Sequence, residues 1–274
     1  MNELTIAMIS EVFYGDNANY KLASQLHIAK EAGATLAVLP ELACNPWSPS
    51  STTLRNDDAE ELGGPRCQMQ AQAAEDIGIG LIGSAILTNG DTRFNTCLLW
   101  DECGELLGTY QKHHLPEEEG FWETSHYSQG VEGFPIFNLN GWNIGIQICS
   151  DMNRPQVSQL LSAAGAHIII GPRATERATY DRWKPVWIAT ALTTGCYVCS
   201  VNRPASENGV LLGGDSIAVS PGGEVIAESC DAITIFTARQ STIKQSRIDY
   251  PGYLPRRADM YAQGWKAIKD TNNE

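Results

Sequence analysis

The 274-residue chain reads as an α/β protein, a four-layer α-β-β-α sandwich of two mixed sheets with helices outside. Three observations predict this. Helical and strand patterns alternate along most of the chain, and the alternation starts afresh past residue 155. Hairpin signals interrupt it, which fits neither a doubly wound sheet nor an eight-stranded barrel. No low-complexity linker divides the chain, so residues 1–240 form one domain, followed by a polar tail over 241–274 that wraps the surface or a partner subunit.

The elements follow in order. LTIAMIS is an apolar strand. From Asn17 to Ala32, Leu22, Leu26 and Ala29 recur at helical spacing, and Gly33 closes the helix. TLAVLPE is a continuous apolar run, a strand buried on both faces. Pro65 opens a helix running to Asp76. IGIGLIGSAIL and NTCLLWD are strands on either side of the turn "NGD". ELLGTYQKHHL is a strand reached through Gly104. FPIFNLN and WNIGIQICSD form a hairpin around Asn140-Gly141. Then come a helix at 155–164, strand AHIIIGP, a helix at about 181–195 and strand YVCSVN. SIAVSPGGEVIAES is a second hairpin, and DAITIFTA is the last strand.

Bulk properties exclude several functions. The net charge of −13 opposes a phosphate-tracking surface, which needs clustered Lys and Arg, so no nucleic-acid partner is expected. The start, MNELTIAMIS, lacks the charged and apolar regions of a signal peptide, and no stretch reaches membrane-spanning length. Eight cysteines without an export signal indicate reduced thiols and a cytoplasmic setting. Their positions (44, 67, 97, 103, 149, 196, 199 and 230) show no zinc-knuckle spacing, so no metal is expected.

Some motifs mislead. Gly78-Ile-Gly80-Leu-Ile-Gly83 matches a dinucleotide fingerprint, but a helix precedes it and a strand contains it, the reverse of the order a cofactor site needs. No cofactor is expected. Cys196 and Cys199 straddle a helix end and a strand start and read as buried structural thiols. Glu117, Glu118 and Glu119 read as a solvated acidic loop. Of the histidines, only His113 and His114 are candidates to activate a cysteine, while His27 and His167 read as structural.

Three reactive residues end apolar strands: Glu41 in LAVLPEL, Lys112 in LLGTYQKHHLP and Cys149 in IGIQICSD. Each alone has an ordinary reading as a cap, an edge residue or a core thiol. Together they supply a chemistry. A thiol with a pKa of about 8.5 is mostly protonated at neutrality, and Glu41 serves as its general base. Lys112 and the Ser150 backbone N–H stabilise a tetrahedral oxyanion. The set suits amide C–N cleavage through a thioester.

The ordered set PE…K-x-H-x-P…IC-x-D resembles the nitrilase, or carbon–nitrogen hydrolase, superfamily. So do DRWKPVWIATALTTGCYVCSVNR and GDSIAVSPGGEVIAES, and the resemblance runs from residue 4 to about 235. It implies the α-β-β-α sandwich and a catalytic Glu41–Lys112–Cys149 triad. GFWE resembles the carbamoylase-like loop that carries a second glutamate, which points to Glu123, with Glu117, Glu118 and Glu119 as the alternatives. The resemblance also implies a homodimer or higher homo-oligomer and a small-molecule amide, carbamoyl or nitrile substrate.

Ser150-Asp151 after the cysteine is closer to amidase and N-carbamoyl amidohydrolase members than to nitrile-cleaving ones. Met152-Asn153-Arg154 departs from the aromatic-rich segment usual there. Trp122 and Asp151 are candidate substrate contacts, with Trp47 and Trp183 as further aromatics that line a pocket or fill core. Arg154 and Arg173 are candidates to pair with a substrate carboxylate, against the alternative of surface salt bridges. A nitrilase using the same triad and a silent, nitrilase-fold binding protein are the rival readings.

Overall fold

The computed structural model describes residues 2–268. The first half contains β1 (Glu3–Ile9), α1 (Ala18–Glu31), β2 (Leu36–Val38), β3 (Ala59–Glu60), α2 (Pro65–Ile77), β4 (Gly80–Asn89), β5 (Thr92–Trp100) and β6 (Leu106–Gln111). A two-stranded ribbon follows, β7 (Glu117–Glu118) with β8 (Phe121–Trp122). The second half contains β9 (Ile136–Leu139), β10 (Trp142–Ile146), α3 (Pro155–Ala163), β11 (Ile168–Arg173), α4 (Tyr180–Thr194), β12 (Tyr197–Asn202), β13 (Ser216–Val219), β14 (Val225–Ser229) and β15 (Ile233–Arg239). Helices α5 (Gln240–Ile248) and α6 (Ala258–Ala267) end the described chain.

The strands form two mixed sheets, ordered β15-β1-β2-β4-β5-β6 and β14-β13-β12-β11-β10-β9, with β3 beside β4. Both halves use one plan. In the first, β1, β2 and β4 run parallel, α1 and α2 connect them, and β5 and β6 follow antiparallel. In the second, β10, β11 and β12 run parallel through α3 and α4, and β13 and β14 follow antiparallel.

Three apolar layers show the four-layer order. Alternate strand residues point to opposite faces. Ile6 and Met8 of β1 therefore meet Ile144, Ile146, Ile168 and Ile170 between the sheets. Their neighbours Ala7 and Ile9 face outward and pack with Leu22 and Leu26 of α1 and Ala73 and Ala74 of α2. Ile169 and Val198 likewise face Leu161 of α3 and Trp187 and Ala191 of α4. Each buried Leu or Ile contributes about 2 kcal/mol.

Local rules place the turns. Asn140 and Gly141 both have positive φ, 52° and 85°, as the tight β9–β10 hairpin requires. The glycine run carries no cofactor geometry. Gly78 closes α2 in the left-handed region at φ 67°, and Gly80 and Gly83 lie inside β4. A Cβ on Gly83 would sit 1.9 Å from Gln70 Oε1, so α2 packs directly on the strand there. Cys199 faces the inter-sheet core and Cys196 the outer one.

The tail is more structured than a polar wrap. Ile243 of α5 enters the inter-sheet core, because the helix starts directly from β15. Arg247 donates to the Ala166 carbonyl at 2.8 Å and Arg256 to Ser162 Oγ at 2.7 Å, which lays the segment over the end of α3. Helix α6 buries none of its residues. Of the expected tail, residues 269–274 lie outside the described residues. Among the described residues, no helix is long and apolar enough to cross a membrane.

Candidate active site

The site sits where strands end. β6 runs antiparallel to β5 and β5 antiparallel to β4, so β6 points the same way as β2 and β4. Glu41 follows β2 and Lys112 follows β6, at one edge of the first sheet. Cys149 follows β10 and Ala174 follows β11, at an edge of the second. Both sheets deliver residues to one buried place.

Ala174 ties the carboxylate to the thiol. Its N–H donates to Glu41 Oε2 at 3.0 Å, and its carbonyl accepts from Cys149 Sγ at 3.9 Å. Glu41 Oε1 accepts from Lys112 Nζ at 2.7 Å and from Asn95 Nδ2 at 2.8 Å. Lys112 Nζ also reaches Glu123 Oε1 at 2.6 Å and Oε2 at 2.7 Å. The side chains of Glu41, Lys112 and Glu123 have no exposed surface.

Burying a lysine charge costs several kcal/mol, and here two carboxylates offset it. Burial works against the charged lysine, but Glu123 and Glu41 hold its pKa well above the usual value. Burial pushes the Glu123 carboxyl up to about 8; the charge of Glu41 adds to this, while Lys112 opposes it. Burial and then Glu41 also push the Cys149 thiol up, with Lys112 again opposing. In the resting site Cys149 is therefore a thiol, and its proton must be taken up when it reacts.

The backbone is strained at two of the reactive positions. Cys149 has φ 46°, and Leu42, directly after Glu41, has φ 49°. Such conformations cost about 1–3 kcal/mol each and persist where surroundings enforce them. Asp151 enforces the first. Its buried carboxylate accepts from the backbone N–H groups of Ile148 (3.2 Å), His113 (3.3 Å) and His114 (2.9 Å), and from Tyr110 Oη (2.8 Å). Lys112's arm and the cysteine turn thus share one anchor. Arg203 enforces the second. It is buried at the end of β12 and donates to the carbonyls of Glu41 (3.0 Å), Leu42 (2.9 Å) and Asn45 (3.0 Å), while Glu207 balances its charge at 2.6 Å.

The other expected residues fall as follows. Ser150 lies in the first turn of a 3-10 helix over Cys149–Asn153, where amides lack intrahelical acceptors. Its hydroxyl donates to the His114 carbonyl. His114 Nδ1 lies 2.7 Å from Asp151 Oδ1, and His113 bonds Tyr110 and the Glu132 carbonyl, so both rings are committed away from the thiol. Trp122 is half-buried in β8, opposite Glu117. Trp47 is core, its indole N–H donating to the Gly120 carbonyl at 2.9 Å, and Trp183 stacks on Trp187. Glu117 and Glu118 are exposed, as a solvated run should be, although they also form the short ribbon.

Arg154 is exposed at the start of α3. Asp151 spends its carboxylate on the donors named above, a role inside the protein rather than toward a ligand. Arg173 is no surface salt bridge. It is 1% exposed, it bonds Ser200 Oγ, Thr175 Oγ1 and the Asp215 carbonyl, and its guanidinium lies 4.6 Å from the centre of the Trp187 ring. Burial lowers its pKa to about 10. Odd-numbered residues of β11 face α4, which sends this side chain under the helix. Sequence reasoning missed Asn95, Ala174 and Arg203. The signal for Asn95 was available, a polar residue beginning the apolar run NTCLLW.

Among the described residues, no cluster of three His, Cys, Asp or Glu side chains is placed to hold a metal ion. What the arrangement offers is a carboxylate, an ammonium and a thiol buried together, the components of acyl transfer without a histidine.

Comparison with known proteins finds relatives over nearly the whole chain. A sequence model of the carbon-nitrogen hydrolase family matches residues 4–245. An omega-amidase of Xenopus laevis is 28% identical over 90% of this chain and 91% of its own length. A citrullinase of Francisella tularensis is 25% identical over 95% of this chain and 98% of its own. The crystal structure of a carbon-nitrogen hydrolase from Helicobacter pylori superposes with a TM-score of 0.87, at 20% identity, over 97% of this chain and 99% of that one.

Proposed function

The chain belongs to the carbon-nitrogen hydrolase family, and from that premise we propose that it cleaves small non-peptide amides, or the related N-carbamoyl amines, through a Cys149 thioester with release of ammonia. One observation carries the reading: Glu41 bonds Lys112 through one carboxylate oxygen, and its other oxygen shares Ala174 with the Cys149 thiol. The family relationship to an omega-amidase and a citrullinase supports the substrate class.

The steps follow from the groups. Glu41 takes the thiol proton as sulfur attacks the carbonyl carbon, forming the C–S bond. Lys112 Nζ and the Ser150 N–H hold the oxyanion. Glu41 returns the proton to nitrogen, the C–N bond breaks and ammonia leaves. Water then enters; Glu41 removes its proton, a C–O bond forms and the C–S bond breaks. The acid departs and Cys149 regains its proton. Glu123 keeps Lys112 aligned throughout.

The test is ammonia release over a panel of primary amides, N-carbamoyl amines and nitriles, with Cys149→Ala and Glu41→Gln beside the parent. The parent releases ammonia from amides or carbamoyl amines and both variants lose at least 1,000-fold, on the order of the loss when a nucleophile or its base is removed. A Cys149→Ala protein as active as the parent would refute the assignment.

A further inference from the structure

We propose that Asn95 Oδ1 accepts the hydrogen of the scissile nitrogen, so that Asn95 selects nitrogen leaving groups that carry hydrogen over groups that carry none. The inference rests on the amide-hydrolase reading and extends it to one specificity-determining atom.

Asn95 is 1% exposed, and its two amide atoms are used unequally. Nδ2 donates to Glu41 Oε1 at 2.8 Å. Oδ1 has no hydrogen-bond partner among the described residues. The orientation follows from chemistry: a carboxylate only accepts, so the amide must turn its N–H₂ to Glu41 and its oxygen away. The backbone adds constraint, because the Asn95 carbonyl accepts from the Lys112 N–H at 2.9 Å. A buried acceptor left unpaired is costly, so its place beside the catalytic carboxylate calls for a donor that arrives with the reaction.

Tyr127 Oη is another buried polar atom without a partner among the described residues. Its residue is pinned to the same place, since its N–H donates to the Glu123 carbonyl at 2.9 Å. The next N–H, of Ser128, donates to Arg93 at 2.8 Å, two residues before Asn95.

The reaction supplies such a donor twice. An amide nitrogen brings two hydrogens; Glu41 must protonate this nitrogen, and Oδ1 belongs to the same amide whose Nδ2 lies 2.8 Å from Glu41 Oε1. Once ammonia has left, the incoming water donates O–H to the same acceptor while Glu41 takes its other proton. A nitrile nitrogen or an ester oxygen brings no hydrogen and leaves Oδ1 unpaired. A site built to bond an N–H discriminates strongly against analogues lacking it.

The test compares the primary amide that the enzyme cleaves best with the methyl ester of the same acid, whose alkoxide needs the Glu41 proton as the amide nitrogen does. Both are measured as kcat/KM for the parent and Asn95→Ala. Loss of the Glu41 contact lowers both substrates together. Loss of the acceptor lowers the amide alone, so the amide-to-ester ratio should fall by about 10- to 100-fold. A ratio unchanged within about threefold overturns the proposal and leaves Asn95 as a support for Glu41 with a structural water on Oδ1. If circular dichroism shows that Asn95→Ala does not fold, Asn95→Ser is read in the same way. A parent that cleaves no amide at all refutes the amide-hydrolase reading instead, a distinct outcome.

Discussion

Lys112 and Glu123 are joined by two contacts, Nζ lying 2.6 Å from Oε1 and 2.7 Å from Oε2, with both side chains fully buried. One lysine thus serves two carboxylates, Glu123 on one side and Glu41 on the other. Two buried carboxyl groups around one lysine do not both ionise freely, and burial together with Glu41 pushes the Glu123 carboxyl up to about 8.

That shift has a stability consequence. An unfolded glutamate titrates near pH 4.3. Between about pH 4 and 8 the folded protein binds a proton that the unfolded chain has released, so Glu123 makes stability fall as pH rises through that window. Thermal midpoints measured from pH 5 to 8 should decline less steeply for Glu123→Gln than for the parent. Activity of that variant should drop about 100-fold, the usual loss for one preorganised electrostatic partner. Identical pH slopes would show that Glu123 carries no raised proton affinity.

Cys149 should react like a buried thiol rather than a pre-formed thiolate. Burial and the Glu41 charge raise its pKa, and the thiolate is the reactive species. Iodoacetamide inactivation should therefore speed up about tenfold per pH unit from pH 6 to 9 without a plateau. Lys112→Met, which removes the opposing positive charge, should slow it further. A flat profile across that range would contradict this account of the resting site.

Arg203 supports Glu41 from behind. Its replacement by Met removes a donor from three buried carbonyls and the cation beside Glu207, a loss of about 3–5 kcal/mol. Urea denaturation should show this as a lower midpoint. Arg203→Lys should fall between, because an ammonium cannot span the same acceptors. Parent-like stability in Arg203→Met would show that the loop after β2 holds its shape unaided.

Asp151 should matter without touching substrate. Asp151→Asn turns an N–H₂ toward donors from Ile148, His113, His114 or Tyr110, which costs about 1–3 kcal/mol. Its kcat should fall more than its KM changes, since Lys112 and the cysteine turn drift apart while the pocket walls stay. A change confined to KM would instead make Asp151 a substrate contact.

Periodicity made most of the fold legible, because strands and helices that bury one or two faces must write that burial into the chain. Helix α2 begins at Pro65, and the Asn140-Gly141 turn lies where a tight hairpin needs positive φ. Ribbon β7–β8 was not legible, since two-residue strands carry no period. Helix α5 was missed because its polar sequence hides the single buried Ile243. Arg173 misled for a related reason: an arginine in a strand reads as surface, and only a helix laid across that face buries it.

The sequence by itself determined which reactive side chains end which strands, because an acid, an amine and a thiol stand out against apolar runs. Only the tertiary structure decided that they meet. Convergence depends on two sheets packing face to face so that the ends of β2, β6, β10 and β11 share one edge, and no local pattern encodes that distance. The same packing buries the site. That burial ties one lysine to two glutamates and leaves Asn95 Oδ1 without a partner among the described residues, beside Glu41.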